Sequence, residues 1–162
     1  MPNLAQIEHN PPSYERGIGL YVHIPFCQTK CPYCDFNTYE RIEDQIPNYV
    51  DALMNEIKAW SDLLSRPPVR TIFLGGGTPS YLPIDDIDQI LSTIHSSYKV
   101  DESAEITLEC NPGDVTLERA SGWIGANINR VSMGVQSFND GLLALLGRRH
   151  TANEAKRAFC TL

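Results

Sequence analysis

The chain has 162 residues, 42% of them hydrophobic, and a net charge of −7, the size of one ordinary domain able to bury roughly 70% of its unfolded surface. Its Asp and Glu are scattered and no Lys/Arg stripe offers a phosphate-binding face, so nucleic acid is not an expected partner. Nowhere do about 18 apolar residues run together, and residues 1–16 have neither a basic start nor a secretory core, which argues against a membrane span and against export.

A cytoplasmic location is therefore expected, where thiols stay reduced and clustered cysteines serve as metal ligands or catalysts rather than disulfide staples.

Taken in chain order, residues 1–16, with Pro2, Pro11 and Pro12, read as a flexible N-terminal tail. Short strand-like runs follow at Ile18 to Pro25 (IGLYVHIP), Val69 to Gly75 (VRTIFLG), Glu105 to Asn111 (EITLECN) and Arg130 to Ser137 (RVSMGVQS). Longer helical patterns separate them. The first starts near Pro47 and is expected to bury Val50, Leu53, Met54, Ile57, Trp60 and Leu64. The second puts Ile84, Ile87, Ile90, Leu91 and Ile94 on one side, and a weaker third covers about Leu117 to Ile124. A fourth runs from about Asp140 to Leu146 and stops at Gly147, after which Thr151 and Glu154 form a capping box for a last helix.

The pattern is a repeated βα unit, about four times over, which predicts an α/β fold with parallel strands. Parallel strands covered on both faces read as continuous apolar runs, whereas these alternate. Ile106, Leu108 and Cys110 oppose Glu105, Thr107, Glu109 and Asn111, and Val131, Met133 and Val135 oppose Ser132, Gly134 and Gln136. In the first strand Leu20, Val22 and Ile24 take the apolar side, leaving Tyr21 and His23 on the side of Glu109 and Gln136. One face meets the helices; the other is expected to line a ligand cavity on a curved sheet.

At the end of the first strand, His23 to Phe36 (HIPFCQTKCPYCDF) places three of the five cysteines within eight positions. Cys27, Cys31 and Cys34 can hold three irons of a four-iron, four-sulfur (4Fe-4S) cluster, because soft thiolates are its usual anchors. A three-thiol zinc site completed by His23 or a distant residue, and cysteines without metal, are the competing readings. The second strand ends in GGGTPS, Gly75 to Ser80, which lacks the Gly-Lys-Ser/Thr of a P-loop and the spacing of a dinucleotide fingerprint. Cys110 falls on the core side and Cys160 near the end of the chain, so neither is expected to join the cluster.

The Cys-x-x-x-Cys-x-Tyr-Cys spacing at a strand end resembles the radical S-adenosylmethionine (SAM) superfamily, as does GGGTP. YVHIPFC, GGGTPS, ECNP (Glu109 to Pro112), GVQSF (Gly134 to Phe138) and LGRRHT (Leu146 to Thr151), in this order, resemble the oxygen-independent coproporphyrinogen III oxidase group and its relatives, the radical-SAM haem chaperones. The likeness implies that SAM chelates the iron left open by the three cysteines. It implies that Gly76, Gly77 and Thr78 position the SAM amino group, Tyr21 and Tyr33 flank cluster and SAM, Glu109 meets the ribose, and Gln136 and Arg148 touch other parts of SAM.

The oxidases of the group carry a further cysteine two positions past the last ligand, where this chain has Asp35-Phe36 as the chaperones do. The expected function is thus a haem chaperone passing haem to an acceptor. The alternatives are oxidative decarboxylation of coproporphyrinogen III and a metal-binding fragment without radical chemistry. The family also implies an electron donor of flavodoxin or ferredoxin type, reductive cleavage of SAM, and haem or another tetrapyrrole bound by the full-length parent. Residues 17–162 would be the N-terminal part of a truncated, TIM-like partial barrel. Later strands and a second domain would be absent, and the fourth strand would present an open edge with an apolar row.

Overall fold

A computed structural model describes residues 16–162. The tail expected over residues 1–16 therefore falls, but for its last residue, outside the described part. The main sheet has four strands, β1 (Ile18–Ile24), β4 (Pro68–Gly76), β5 (Lys99–Cys110) and β6 (Arg130–Met133), in the order β1-β4-β5-β6. All three pairings are parallel. Each new strand is laid beside the one before it with no reversal of order, the winding of a barrel arc rather than of a doubly wound sheet. A second, two-stranded parallel pair joins β2 (Phe26–Cys27) to β3 (Tyr39–Glu40).

The crossovers are α1 (Ile46–Leu63), α2 (Ile84–Ser97) and α3 (Leu117–Gly125), and α4 (Asp140–Leu145) and α5 (Ala152–Thr161) follow β6. Their apolar stripes close on one face of the sheet. Val22, Ile24, Ile72, Leu74, Ile106 and Leu108 from the strands meet Val50 and Ile57 of α1, Ile87, Ile90, Leu91 and Ile94 of α2, and Trp123 of α3. Burial of that size is the main favourable term of folding. The alternation is clear at the end of β5, where Ile106, Leu108 and Cys110 are buried and Glu109 and Asn111 half-buried, but Thr107 on the polar side is also fully buried and β6 shows no contrast between its faces.

The capping box forms as the spacing predicts. Glu154 N donates to Thr151 Oγ1 at 3.2 Å, and Thr151 N donates to Glu154 Oε2 at 2.7 Å. Gly147 ends the α4 segment with φ +68°, a left-handed turn that glycine enters without steric cost.

One burial and two strand boundaries differ from expectation. Trp60 is 50% exposed and donates its indole N–H to Glu56 instead of entering the core. It lies with Leu53 and Leu64 on a groove beside β1, an edge strand with no neighbour on that side among the described residues. Strand β5 begins at Lys99, six residues early, because Lys99 and Val100 pair with Pro68 and Val69 of β4 before a register irregularity, and pairing resumes at Glu105. Strand β6 ends at Met133, where Val135 N bonds back to the Met133 carbonyl at 2.9 Å, and Gln136, with φ +67°, uncommon for a residue with a Cβ, turns the chain again. On the outer edge of β6, Val131, Met133, Trp123, Ile124, Phe159 and Leu162 line an open apolar cleft of about 650 Å³.

Candidate functional site

Loops at the C-terminal ends of the parallel strands build one cleft of about 340 Å³, the end at which parallel α/β arrangements place ligands. The segment 27–39 is spanned by the β2–β3 pair, so a short ladder holds both its ends. Inside it, Cys34 N donates to the Cys31 carbonyl at 2.9 Å. Lys30 straps the turn, its backbone N–H donating to Glu40 at 2.6 Å and its ammonium to the carbonyls of Phe36 and Thr38 at 3.2 Å each. Cys27 is buried and Cys31 and Cys34 are half-buried; none is in a disulfide.

Cys27, Cys31 and Cys34 all line this cleft, together with Tyr33, Gly76, Gly77, Thr78, Glu109, Gln136 and Arg148. Among the described residues no three His, Cys, Asp or Glu side chains converge on a point that a single ion would fill; the thiols stand around a wider opening.

The glycines of GGGTP are required by close approach. A Cβ on Gly75 would stand 2.6 Å from the Phe73 ring and 2.9 Å from Glu109, and one on Gly77 would stand 2.7 Å from the Phe26 carbonyl oxygen. Gly77 N donates to Ile24 O at 2.7 Å and Thr78 N to Phe26 O at 2.8 Å, which locks this loop to the start of the cysteine segment. Glu109 Oε2 accepts from Gly76 N at 3.1 Å. Arg130 pairs with Glu105 at 3.6 Å, not with Glu109.

Arg148 reaches the same cleft from beyond α4. Its Nη1 donates to Cys31 Sγ at 3.3 Å and to Tyr33 Oη at 3.5 Å, and its Nη2 to the Gly134 carbonyl at 2.7 Å and to Asn111 Oδ1. Its Nε is buried and has no hydrogen-bond partner among the described residues. A buried donor without a partner is costly, and Arg148 shares that feature with Arg119 Nε and Trp123 Nε1; of the three residues, Arg148 is the one that lines the cleft. Arg149 points elsewhere: it pairs with Asp114 at 3.8 Å and donates to Gln28, tying the cysteine segment to the turn after β5.

Tyr21 is the predicted residue that the cleft does not include. It is 60% exposed, stacks on Phe73 at 6.1 Å between ring centroids, and hydrogen-bonds to His23 Nδ1 at 3.1 Å. His23 Nε2 sits 2.9 Å from the Asn37 carbonyl. A carbonyl only accepts, so Nε2 carries the proton and Nδ1 accepts from the Tyr21 hydroxyl. Both imidazole nitrogens are thus occupied, and His23 serves to bind β1 to the far end of the cysteine segment.

His150 supports the Gln136 turn by donating Nε2–H to the Val135 carbonyl at 3.0 Å. Burial lowers its pKa from the ordinary 6.5, with Arg148 and Arg149 adding to the effect against the Val135 bond and Glu154. The folded chain therefore resists protonation that the unfolded chain accepts, so stability present above pH 6.5 is lost as pH falls below it. We expect the melting temperature to drop between about pH 7 and pH 5.5, and His150→Gln to flatten that dependence.

The sequence pattern of the Radical SAM superfamily matches residues 21–161. The chain belongs to this superfamily. It is 44% identical to the heme chaperone HemW of Haemophilus influenzae over 147 residues and 42% identical to that of Escherichia coli over 143, in each case 87% of this chain and 38% of the relative. The chain thus spans about two-fifths of the length of these relatives. Among solved structures, coproporphyrinogen III oxidase (HemN) from Escherichia coli, described as a radical SAM enzyme, superposes with a TM-score of 0.83 at 31% identity over 91% of this chain and 34% of that one. The archaeal Elp3 of Methanocaldococcus infernus shares the fold, with a TM-score of 0.55 at 13% identity.

The four-stranded parallel arc is accordingly part of a radical SAM barrel. The superfamily as a whole is built on a 4Fe-4S cluster and SAM, and the donor set here fits both: three free thiols on one opening, and a buried guanidinium nitrogen awaiting an acceptor. No helix among the described residues is long and apolar enough to cross a membrane.

Proposed function

We propose that this chain is the cluster- and SAM-binding part of a radical SAM haem chaperone. The observation that carries the reading is the convergence of Cys27, Cys31 and Cys34 with the GGGTP loop, Glu109, Gln136 and Arg148 on one cleft. In this reading the three thiolates ligate three irons and SAM takes the fourth. Reductive cleavage of the SAM sulfonium is the chemistry that cluster and SAM supply when bound.

The chain's own groups do the positioning. Gly76, Gly77 and Thr78 offer their backbone edge on the cleft to the SAM amino group, and Glu109 is held by the Gly76 N–H with its remaining carboxylate capacity directed to the ribose hydroxyls. Gln136, at a left-handed turn on the rim of the cleft, and Arg148 bind other parts of SAM. Tyr33 flanks the cluster directly, and Tyr21 acts through His23. Five unpaired thiols suit a reducing compartment such as the cytoplasm, and a flavodoxin or ferredoxin would deliver the electron.

Two observations favour haem as cargo over coproporphyrinogen III as substrate. Identity is higher to the two heme chaperones, at 44% and 42%, than to the oxidase, at 31%. Asp35-Phe36 also stands where the oxidases carry a further cysteine. The test uses the full-length parent under anaerobic conditions with reductant, SAM and coproporphyrinogen III, following tetrapyrroles by mass spectrometry and haem binding by absorbance. Saturable haem binding without loss of carboxyl groups is expected; decarboxylation over multiple turnovers would establish the oxidase instead.

A further inference from the structure

Asn111, the asparagine of ECNP, lies between two residues that each touch a cysteine of the cleft. Its Nδ2 donates to Thr78 Oγ1 at 3.2 Å and its Oδ1 accepts from Arg148 Nη2. Beyond them, the Thr78 hydroxyl donates to Cys27 Sγ at 3.5 Å and Arg148 Nη1 donates to Cys31 Sγ at 3.3 Å. An unbroken path of hydrogen bonds thus runs from Cys27 through Thr78, Asn111 and Arg148 to Cys31, joining residues 27 and 31 of one loop through the ends of two other strands.

Its polarity follows from donor chemistry alone. A guanidinium only donates, so the Asn111 oxygen must face Arg148 and the amide nitrogen must face Thr78. Thr78 then accepts from Asn111, and its one hydroxyl proton is left for the Cys27 sulfur. Thr78 is 7% exposed, so water does not compete readily for that proton. Cys34 differs: its nearest side-chain partner is the Thr38 hydroxyl at 4.0 Å.

We propose that Asn111 is a positioning residue that aims one donor at each of Cys27 and Cys31 and so favours reduction of the cluster those residues hold. The inference rests on the reading of Cys27, Cys31 and Cys34 as cluster ligands. Added electron density on a cluster resides partly on its thiolate sulfurs, and a donor directed at sulfur stabilises the reduced state more than the oxidised one. Asn111 touches no sulfur itself; it acts by fixing the rotamers of Thr78 and Arg148.

The test is a redox titration of the anaerobically reconstituted chain, followed by electron paramagnetic resonance, with iron content measured on every sample. Asn111→Leu is expected to disfavour reduction about tenfold, a shift of about 59 mV for a one-electron couple. Thr78→Val, which removes one donor at nearly constant shape, is expected to disfavour it about threefold, and Thr78→Ser to restore the wild-type value. The double variant Asn111→Leu/Thr78→Val should shift less than the sum of the two, since both act on Cys27. An unchanged potential in Asn111→Leu at full iron content overturns the proposal, as does a Thr78→Ser protein that behaves like Thr78→Val.

A second measurement needs no cluster: the Asn111 side-chain amide resonances of the metal-free chain, assigned by their loss in Asn111→Leu, should move in both Thr78→Val and Arg148→Lys. Amide signals indifferent to both variants overturn the bridge. A wild-type chain that takes up no iron overturns the ligand reading and the effect on potential with it, while the amide measurement still decides the bridge.

Discussion

Replacing Cys27, Cys31 or Cys34 by alanine, one at a time, is expected to take the anaerobically reconstituted chain from about four irons to below about one. Each of the three lines the same opening, and a cluster held by three protein thiolates has no spare ligand to offer when one is lost. Alanine at Cys110 or Cys160 should leave iron content unchanged. Cys110 also borders the cleft, but it is 4% exposed within the hydrophobic core of β5, and burial foremost pushes its thiol up to about 12, which disfavours the thiolate that a ligand needs. Cys160 is exposed on α5 and is not among the residues lining the cleft. Full iron content in all three single variants would remove the assignment of these ligands.

The second large effect is expected from Gly77→Ala. The added Cβ meets backbone oxygen at 2.7 Å from Phe26 and 2.9 Å from Ile24, and neither can step aside as a side chain would. Relief requires moving the loop, which stretches the Gly77 N–Ile24 O and Thr78 N–Phe26 O bonds and carries Thr78 away from Cys27. Overpacking of this kind costs about 1–3 kcal/mol. Denaturant unfolding of the metal-free chain should show that loss, and the reconstituted protein should no longer respond to SAM. Gly113→Ala serves as the comparison, because nothing lies within 4 Å of its Cβ position, and it should be close to neutral.

Much of this molecule is readable from residue order because its signals are local and repeated. Four alternating strands and three helical stripes recur along the chain, and the parallel arc follows from them. Trp60 escapes that reading because spacing says which side of α1 a residue is on and not whether the sheet extends beneath it. The β2–β3 pair is two residues per strand, too short to show a period, yet it fixes both ends of the cysteine segment. Gln136 was expected on the polar side of an extended strand, and its left-handed backbone has no signature in a residue other than glycine.

In the site, the cysteine spacing and the GGGTP loop were legible because chemistry fixes both. Tyr21 was assigned by the family likeness, but neither it nor His23 lines the cleft; Tyr21 is tied through His23 to the Asn37 carbonyl at the end of the cysteine segment. Asn111 falls on the face expected to line the cavity, but its bonds, like the roles of Lys30 and Arg149, are not legible, since each acts through hydrogen bonds to other segments and a lone polar residue carries no periodicity to betray such a partner.

The measurement closest to the central claim is the electron paramagnetic resonance spectrum of the reduced, reconstituted chain with and without SAM carrying ¹⁵N in its amino group. With three protein thiolates and one open iron, added SAM should change the g values and introduce coupling to the labelled nitrogen. A spectrum unmoved by saturating SAM, or stoichiometric zinc in the three-cysteine site of a chain that takes up no iron under the same anaerobic conditions, would contradict it.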